Sequence, residues 1–100
     1  MRIKRDTKYR HEIVMILVAL RDGDNKELTT QQGAVVEYLS SRLTEKEIEC
    51  MYLYYVSGMK MYEAAKAIGV TVSTFSRNVE RGDRKAKEVI DMMLKAGIIL

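Results

Sequence analysis

Apolar residues recur along the chain with the spacing of α-helices, three or four positions apart, rather than with the alternation of strands. Ala34, Val35, Tyr38 and Leu39, for example, form a single helical stripe. No segment shows the β-branched alternation that a sheet would need, and the chain has six glycines and no proline. The pattern predicts an all-α fold of about five helices, of which the last is long.

Capping residues place the helix boundaries. Thr44 and Glu47 have the spacing of a capping box, which predicts the start of the third helix, and Gly58 can supply the left-handed residue that ends it. Gly82 costs about 1 kcal/mol relative to alanine inside a helix, so a kink or break is an alternative there. The first predicted helix is capped by Asp6 or Thr7 and runs to Leu20, and the second is capped by Thr29 or Thr30 and ends near Arg42. A short fourth helix is predicted over residues 61–68. The last is capped by Thr71 and runs to Lys95 or Ala96.

Residues 48–56 are almost all apolar or aromatic, which is too many for one stripe. A helix of this kind is buried on more than one side, so we expect the third helix to lie between the first two and those that follow. The four tyrosines Tyr38, Tyr52, Tyr54 and Tyr55 could form a stacking platform for single-stranded nucleic acid. Their helical spacing favours core positions with the hydroxyl groups at the rim.

Composition narrows the class of protein. A chain of 100 residues, 47% of them hydrophobic, predicts a single domain over residues 1–100, with an N-terminal helical pair and basic arm (1–42), a middle part (43–87) and a C-terminal extension (88–100). Cys50 and His11 are the only cysteine and histidine, so one protomer can form neither a disulfide nor a Cys/His zinc site. We therefore expect no cofactor, no enzymatic activity and a reducing, cytoplasmic setting. The longest apolar run, residues 13–20, is much shorter than the roughly 20 residues that span a bilayer, so no membrane role is expected.

Positive charge is concentrated in two segments, although the net charge is only +3. Residues 1–10 hold five cations and one acid, and residues 71–87 hold five cations and two acids. Such clustering is typical of a surface that binds a polyanion. The alternative is a solvated tail followed by an ordinary charged helix.

Residues 62–87 have the pattern of a helix-turn-helix. Such a unit needs a small residue where the two helices cross and a turn that admits a positive φ, and Ala65 and Gly69 meet these demands. The inward positions of the unit are then filled by Ala64, Ile68, Val70, Phe75 and Val79. A helical hairpin that only packs is the alternative.

The opposite side of the last helix carries side chains that suit a major groove. Arg77 can bind the O6 and N7 atoms of guanine, and short polar residues and backbone N–H groups at the helix start can approach phosphates. We predict that the bases are contacted by Val72, Ser73, Ser76, Arg77 and Glu80. The predicted phosphate contacts are Thr71, Thr74, Arg81, Arg84, Lys85 and Lys87.

Residues 43–87, LTEKEIECMYLYYVSGMKMYEAAKAIGVTVSTFSRNVERGDRKAK, resemble region four of bacterial sigma factors. The matching features are Leu43 and Glu47, the Tyr54-Tyr55 pair, Gly58, Glu63-Ala64-Ala65, Ile68-Gly69-Val70, and Ser73-Thr74-Phe75-Ser76-Arg77. The resemblance implies binding of double-stranded DNA through the helix that begins at Val72 and, in complete sigma factors, contact with RNA polymerase. The chain has no room for sigma region two, so the resemblance favours a stand-alone regulator of the phage or mobile-element type.

Two functions therefore remain open at the level of sequence. The first is a sequence-specific DNA-binding transcriptional regulator, and the second is a sigma-like module that docks on RNA polymerase or another protein with little DNA binding. The apolar end of the last helix also has two interpretations, because it could pack over the first two helices or form a homodimer. The residues concerned are Val89, Ile90, Met92, Met93, Leu94 and 98–100.

Overall fold

A computed structural model describes residues 7–23 and 28–96 of the chain, and in it the side chains of residues 10–23, 28–93, 95 and 96. This part of the chain contains five α-helices and no strand: α1 (Thr7–Asp22), α2 (Thr30–Arg42), α3 (Glu45–Met51), α4 (Met61–Ala67) and α5 (Val72–Lys95). The predicted all-α fold with a long last helix is confirmed. The basic arm before Thr7, the candidate cap Asp6 and the segment 97–100 lie outside the described residues. Among the described helices, none is long and apolar enough to cross a membrane.

Two capping boxes fix the starts of α2 and α3. The Thr44 hydroxyl accepts a hydrogen bond from the Glu47 N–H at 3.1 Å, and a Glu47 carboxylate oxygen accepts one from the Thr44 N–H at 3.0 Å. Thr29 forms the same reciprocal pair with Gln32, which makes Thr29 the cap of α2 rather than Thr30. The start of α3 was predicted from this three-residue spacing, whereas for α2 the prediction left Thr29 and Thr30 open as caps.

A π-helical segment, Tyr52–Val56, continues α3 with one wider turn. The Ser57 N–H donates to the Tyr52 carbonyl at 3.0 Å, five residues back, and Gly58 then ends the segment at a φ of +68°. The end at Gly58 was predicted and the wider turn was not. Tyr54 and Tyr55 are buried with their rings in edge-to-face contact.

The four tyrosines do not share one environment. Tyr54 and Tyr55 lie in the core, and half-buried Tyr52 donates its hydroxyl proton to Asp22 at 2.9 Å, as expected for core residues with hydroxyls at the rim. Tyr38 is 47% exposed. The prediction of a core position is therefore wrong for Tyr38, because α2 buries Val35 and Leu39 and turns Tyr38 toward solvent.

The core lies where α3 and its π-helical continuation meet α1 and α5. Residues Ile13, Leu17, Leu39, Met51, Phe75 and Ile90 are among its largest fully buried side chains. At the end of α5, Val89 and Ile90 are buried against this core while Met92 is 70% exposed, so packing within the chain accounts for part of the apolar end. The homodimer stays a prediction.

Gly82 lies in the middle of α5, which runs through it without a break. Gly82 is buried, and a Cβ atom at this position would overlap the Met51 sulfur and lie 3.1 Å from Met51 Cγ. The alternative of a break at this position is therefore wrong. The side chain of Met51 occupies the space that a Cβ atom would need, and this packing offsets the low helix propensity of glycine.

Candidate nucleic-acid interface

The turn between α4 and α5 closes with a Schellman motif. Gly69 has a φ of +72°, its N–H donates to the Lys66 carbonyl at 3.2 Å, and the Val70 N–H donates to the Ala65 carbonyl at 3.0 Å. These bonds satisfy the last carbonyls of α4 and turn the chain sharply into α5. Two helices joined by a tight turn are thus present as predicted, and Ala65 of the first is buried.

Thr71 caps α5. Its hydroxyl oxygen accepts the Thr74 N–H at 3.1 Å and donates its proton to the Thr74 hydroxyl at 3.0 Å. The first backbone hydrogen bond of α5 runs from the Phe75 N–H to the Thr71 carbonyl. The N–H groups of Val72 and Ser73, which come before it, therefore have no acceptor within the helix. The helix start thus presents donors to an anion, although the two threonine hydroxyls predicted to contact phosphate are bonded to each other.

The inner side of α5 is as predicted for its apolar residues. Phe75 and Val79 are fully buried one turn apart, and α4 contributes Ala64 to the same layer. Ser76 also lies on this side, with only 2% of its surface exposed, and its hydroxyl oxygen has no hydrogen-bond partner. Its predicted place on the outer side is wrong, because position 76 is only about one-sixth of a turn from Val79 around the helix axis.

The outer side of α5 carries Ser73, Arg77, Arg81 and Arg84, all of them exposed. We call these four residues the outer stripe. Spacings of four, four and three residues keep them on one side of a helix. Val72 is also exposed at the first turn, and it lines an open depression together with Ser73, Ser76 and Arg77. Glu80 is half-buried beside the stripe.

The cations of α5 fall into two groups. Among the described residues, the three arginines of the outer stripe have no ion-pair partner, and the Nε of Arg77 contacts only the Ser73 carbonyl, at 3.4 Å. Lys85 and Lys87, by contrast, are each bound to a carboxylate of the chain. The two lysines were predicted to contact phosphates, and the structure instead gives their ammonium groups internal partners.

Lys85 connects α5 to the turn between α2 and α3. Its Nζ atom donates to Glu47 Oε1 at 2.8 Å and to the Arg42 carbonyl at 3.0 Å. Burial alone would raise the pKa of Glu47, but the hydrogen bonds from Lys85 and from the Thr44 N–H together with the charge of Lys85 outweigh it and lower that pKa. Glu47 therefore stays ionised and serves both the cap of α3 and the contact with α5.

Lys87 and Tyr55 share the buried carboxylate of Asp83. Lys87 Nζ lies 2.9 Å from Asp83 Oδ2, and the Tyr55 hydroxyl donates to Asp83 Oδ1 at 2.7 Å. Asp83 thereby ties the π-helical segment to α5. In the sequence, Asp83 looks like a negative charge that opposes a basic helix. In the structure its charge is directed inward and is matched by Lys87.

Arg42, at the end of α2, was not among the predicted contacts. Its guanidinium carbon lies 5.6 Å from the centre of the Tyr38 ring, one turn earlier in α2, and both residues are exposed. The spacing of four residues was visible in the sequence. The proximity to α5, through the bond from Lys85 to the Arg42 carbonyl, was not.

No family model, curated protein or solved structure matches the chain at a significant level.

Proposed function

We propose that this chain is a double-stranded DNA-binding protein, a transcriptional regulator that places the outer stripe of α5 in a major groove. The observation that supports the proposal is three exposed arginines on one side of a helix that follows a tight helix-helix turn. An exposed serine and two unpaired N–H groups at the helix start complete the arrangement. In this geometry the N-terminal part of the second helix reads base edges while the flanking cations bind the backbone.

Within the stripe, the roles follow from position. Arg77 and Ser73 are on the first two turns of α5, where a helix that enters the groove end-on meets the bases. Arg77 presents its guanidinium to the O6 and N7 atoms of guanine, and Val72 presents methyl groups to thymine. Arg81 and Arg84, farther from the turn, bind phosphates. Two such contacts imply that the logarithm of the binding constant falls with the logarithm of salt concentration with a slope of about −1.8 or steeper.

The alternative is a sigma-like module that docks on RNA polymerase or another protein. One observation favours it: Lys85 and Lys87 are bound to Glu47 and Asp83 and so contribute little to an outward positive field. The exposed surface of α5 is consequently less basic than the sequence suggests. The DNA-binding proposal is preferred because the three arginines keep their charge on one exposed side, where a polyanion binds most favourably.

Selection from a random duplex pool, followed by fluorescence anisotropy at several salt concentrations, tests the proposal. We expect Arg77→Ala to relax the preference at one base position by about 1–3 kcal/mol, the discrimination given by one bidentate contact. Arg81→Ala and Arg84→Ala should weaken binding to all sequences and each reduce the salt slope by about 0.9.

The matched control is Arg21→Ala, since Arg21 is an exposed arginine at the end of α1 that stacks on Tyr52. This variant should bind as the wild type does. If the wild type shows no salt-dependent binding to any duplex, the proposal fails. Binding to an RNA polymerase subunit with no duplex affinity would instead support the alternative.

A further inference from the structure

The guanidinium of Arg42 lies over the ring of Tyr38. The distance from the guanidinium carbon to the ring centre is 5.6 Å, within the range of a cation–π interaction. Among the described residues the guanidinium of Arg42 has no hydrogen-bond or ion-pair partner, so its N–H donors are available to an acceptor. A planar, pre-ordered fork of this kind suits the oxygens of a phosphate.

The position of Arg42 next to α5 is fixed by Lys85. Lys85 Nζ donates to the Arg42 carbonyl at 3.0 Å, so the end of α2 lies beside the residue that follows Arg84 in α5. The carboxylate that shares Lys85 with Arg42, that of Glu47, is 4% exposed and is neutralised by this lysine. Within the described part of the chain no carboxylate pairs with Arg42, so the end of α2 adds an unpaired positive charge at the edge of α5.

We propose that Arg42 is a further phosphate contact of the DNA interface, positioned by Tyr38 and located outside the helix-turn-helix unit. This inference rests on the proposed function. A duplex whose major groove accepts the outer stripe has its backbone on both sides of α5. Arg42 binds the strand on the side of Lys85 and of the turn between α2 and α3. Tyr38 acts as a positioning residue, because it reduces the rotamer freedom that Arg42 would lose on binding.

Arg21 provides a matched comparison within the same chain. Its guanidinium also stacks on a tyrosine, at 4.9 Å from the centre of the Tyr52 ring. It differs in its neighbours, since the Tyr52 hydroxyl is bonded to the carboxylate of Asp22, which puts a negative charge beside Arg21. If a contact with a tyrosine ring were sufficient for a phosphate contact, substitution of either arginine by alanine would reduce the salt slope.

The experiment measures the affinity for a selected duplex between 50 and 200 mM salt for the wild type, Arg42→Ala, Arg21→Ala and Tyr38→Leu. We expect Arg42→Ala to reduce the salt slope by about 0.9. Between the two salt concentrations, the fold-loss of affinity should then be about 3.5 times smaller for this variant than for the wild type. Arg21→Ala should match the wild type. Arg42→Lys should keep the slope but bind less tightly, because a point charge replaces the bidentate fork. Tyr38→Leu should weaken binding with the slope retained.

Folding does not confound this test, because Lys85 bonds to the backbone carbonyl of Arg42 and the bond survives removal of the side chain. Equal slopes for Arg42→Ala and Arg21→Ala, with a wild type that binds, would overturn this inference and leave the DNA-binding proposal intact. A loss confined to one base position would also overturn it, since a phosphate contact acts uniformly across sequences. Absence of wild-type binding would overturn both proposals.

Discussion

On the inner side of α5, Gly82 lies against Met51, and at the edge of that side Lys85 is bound to a carboxylate of another helix. On the outer side, Arg81 and Arg84 are exposed. These four residues are neighbours along the chain. At about 100° per residue, Gly82 and Arg84 lie on opposite sides of the helix, and Lys85 lies between them, at the edge that meets the turn between α2 and α3. A basic helix in the sequence thus divides into cations that hold the fold together and cations that are available to a partner.

The difference bears on how much of the charge can act on DNA. Lys85 and Lys87 each form an ion pair within the chain. We therefore expect removal of either lysine to lower stability more than it lowers the affinity for DNA. The arginines of the outer stripe can be changed at little cost in stability, because exposed substitutions usually stay within about 0.5 kcal/mol. Stability and binding should therefore respond to different residues of the same helix.

The largest expected effect that tests this division is at Gly82. Gly82→Ala should lower the free energy of unfolding by about 1–3 kcal/mol, because the new methyl group overlaps the buried Met51 side chain. Gly33→Ala is the control: nothing lies within 4 Å of a Cβ atom there, so the variant should gain up to about 1 kcal/mol from helix propensity. Urea denaturation measures both. A cost at Gly82 that is unchanged in a Met51→Ala background would show that this contact is not the cause.

A smaller effect is expected at Glu47, on the inner side. Its pKa is lower in the folded chain than the ordinary value of 4.5, so the ionised form stabilises the fold above that pH. This contribution should be lost as pH falls from about 4.5 through the folded pKa. Glu47→Gln keeps an acceptor for the capping box but loses the charge, and should cost on the order of 1 kcal/mol at neutral pH with a flatter pH profile.

Glu45→Gln is the matched control for this measurement, because Glu45 is exposed in the first turn of the same helix. Urea denaturation from pH 3 to pH 7 should give nearly the wild-type profile for Glu45→Gln. An equally flat profile for both variants would mean that the pair of Glu47 with Lys85 does not control the acid response.

The smallest expected effects are those of alanine substitutions at Ser76 and Ser73, which should differ in whether they change stability or duplex binding. Ser76→Ala removes a buried hydroxyl that has no partner, so stability should stay the same or rise by up to about 1 kcal/mol, with duplex binding unchanged. Ser73→Ala should leave stability unchanged and weaken the selected duplex. Thermal denaturation and anisotropy together distinguish them. Reduced binding by Ser76→Ala at unchanged stability would restore Ser76 as a base contact.

Much of the fold was predictable because the signals are local. The capping boxes of Thr29 and Thr44 span three residues each, and the inward spacing of Phe75 and Val79 is one helical turn. The candidate site was only partly predictable. The outer placement of Ser73 and Arg77 followed from the helical period, whereas Ser76 was assigned to the wrong side because the width of the buried arc depends on what packs against α5.

The amino-acid sequence by itself determined where α3 and α5 begin, that Gly58 and Gly69 end two of the helical segments, and which apolar residues of α5 face inward. Short-range hydrogen bonds and helical periodicity are sufficient for these features. Only the tertiary structure decided that Gly82 is a packing contact, that Lys85 is internally bound, and that Arg42 lies beside α5. Those features depend on partners such as Glu47, 38 residues from Lys85, which no local pattern brings together.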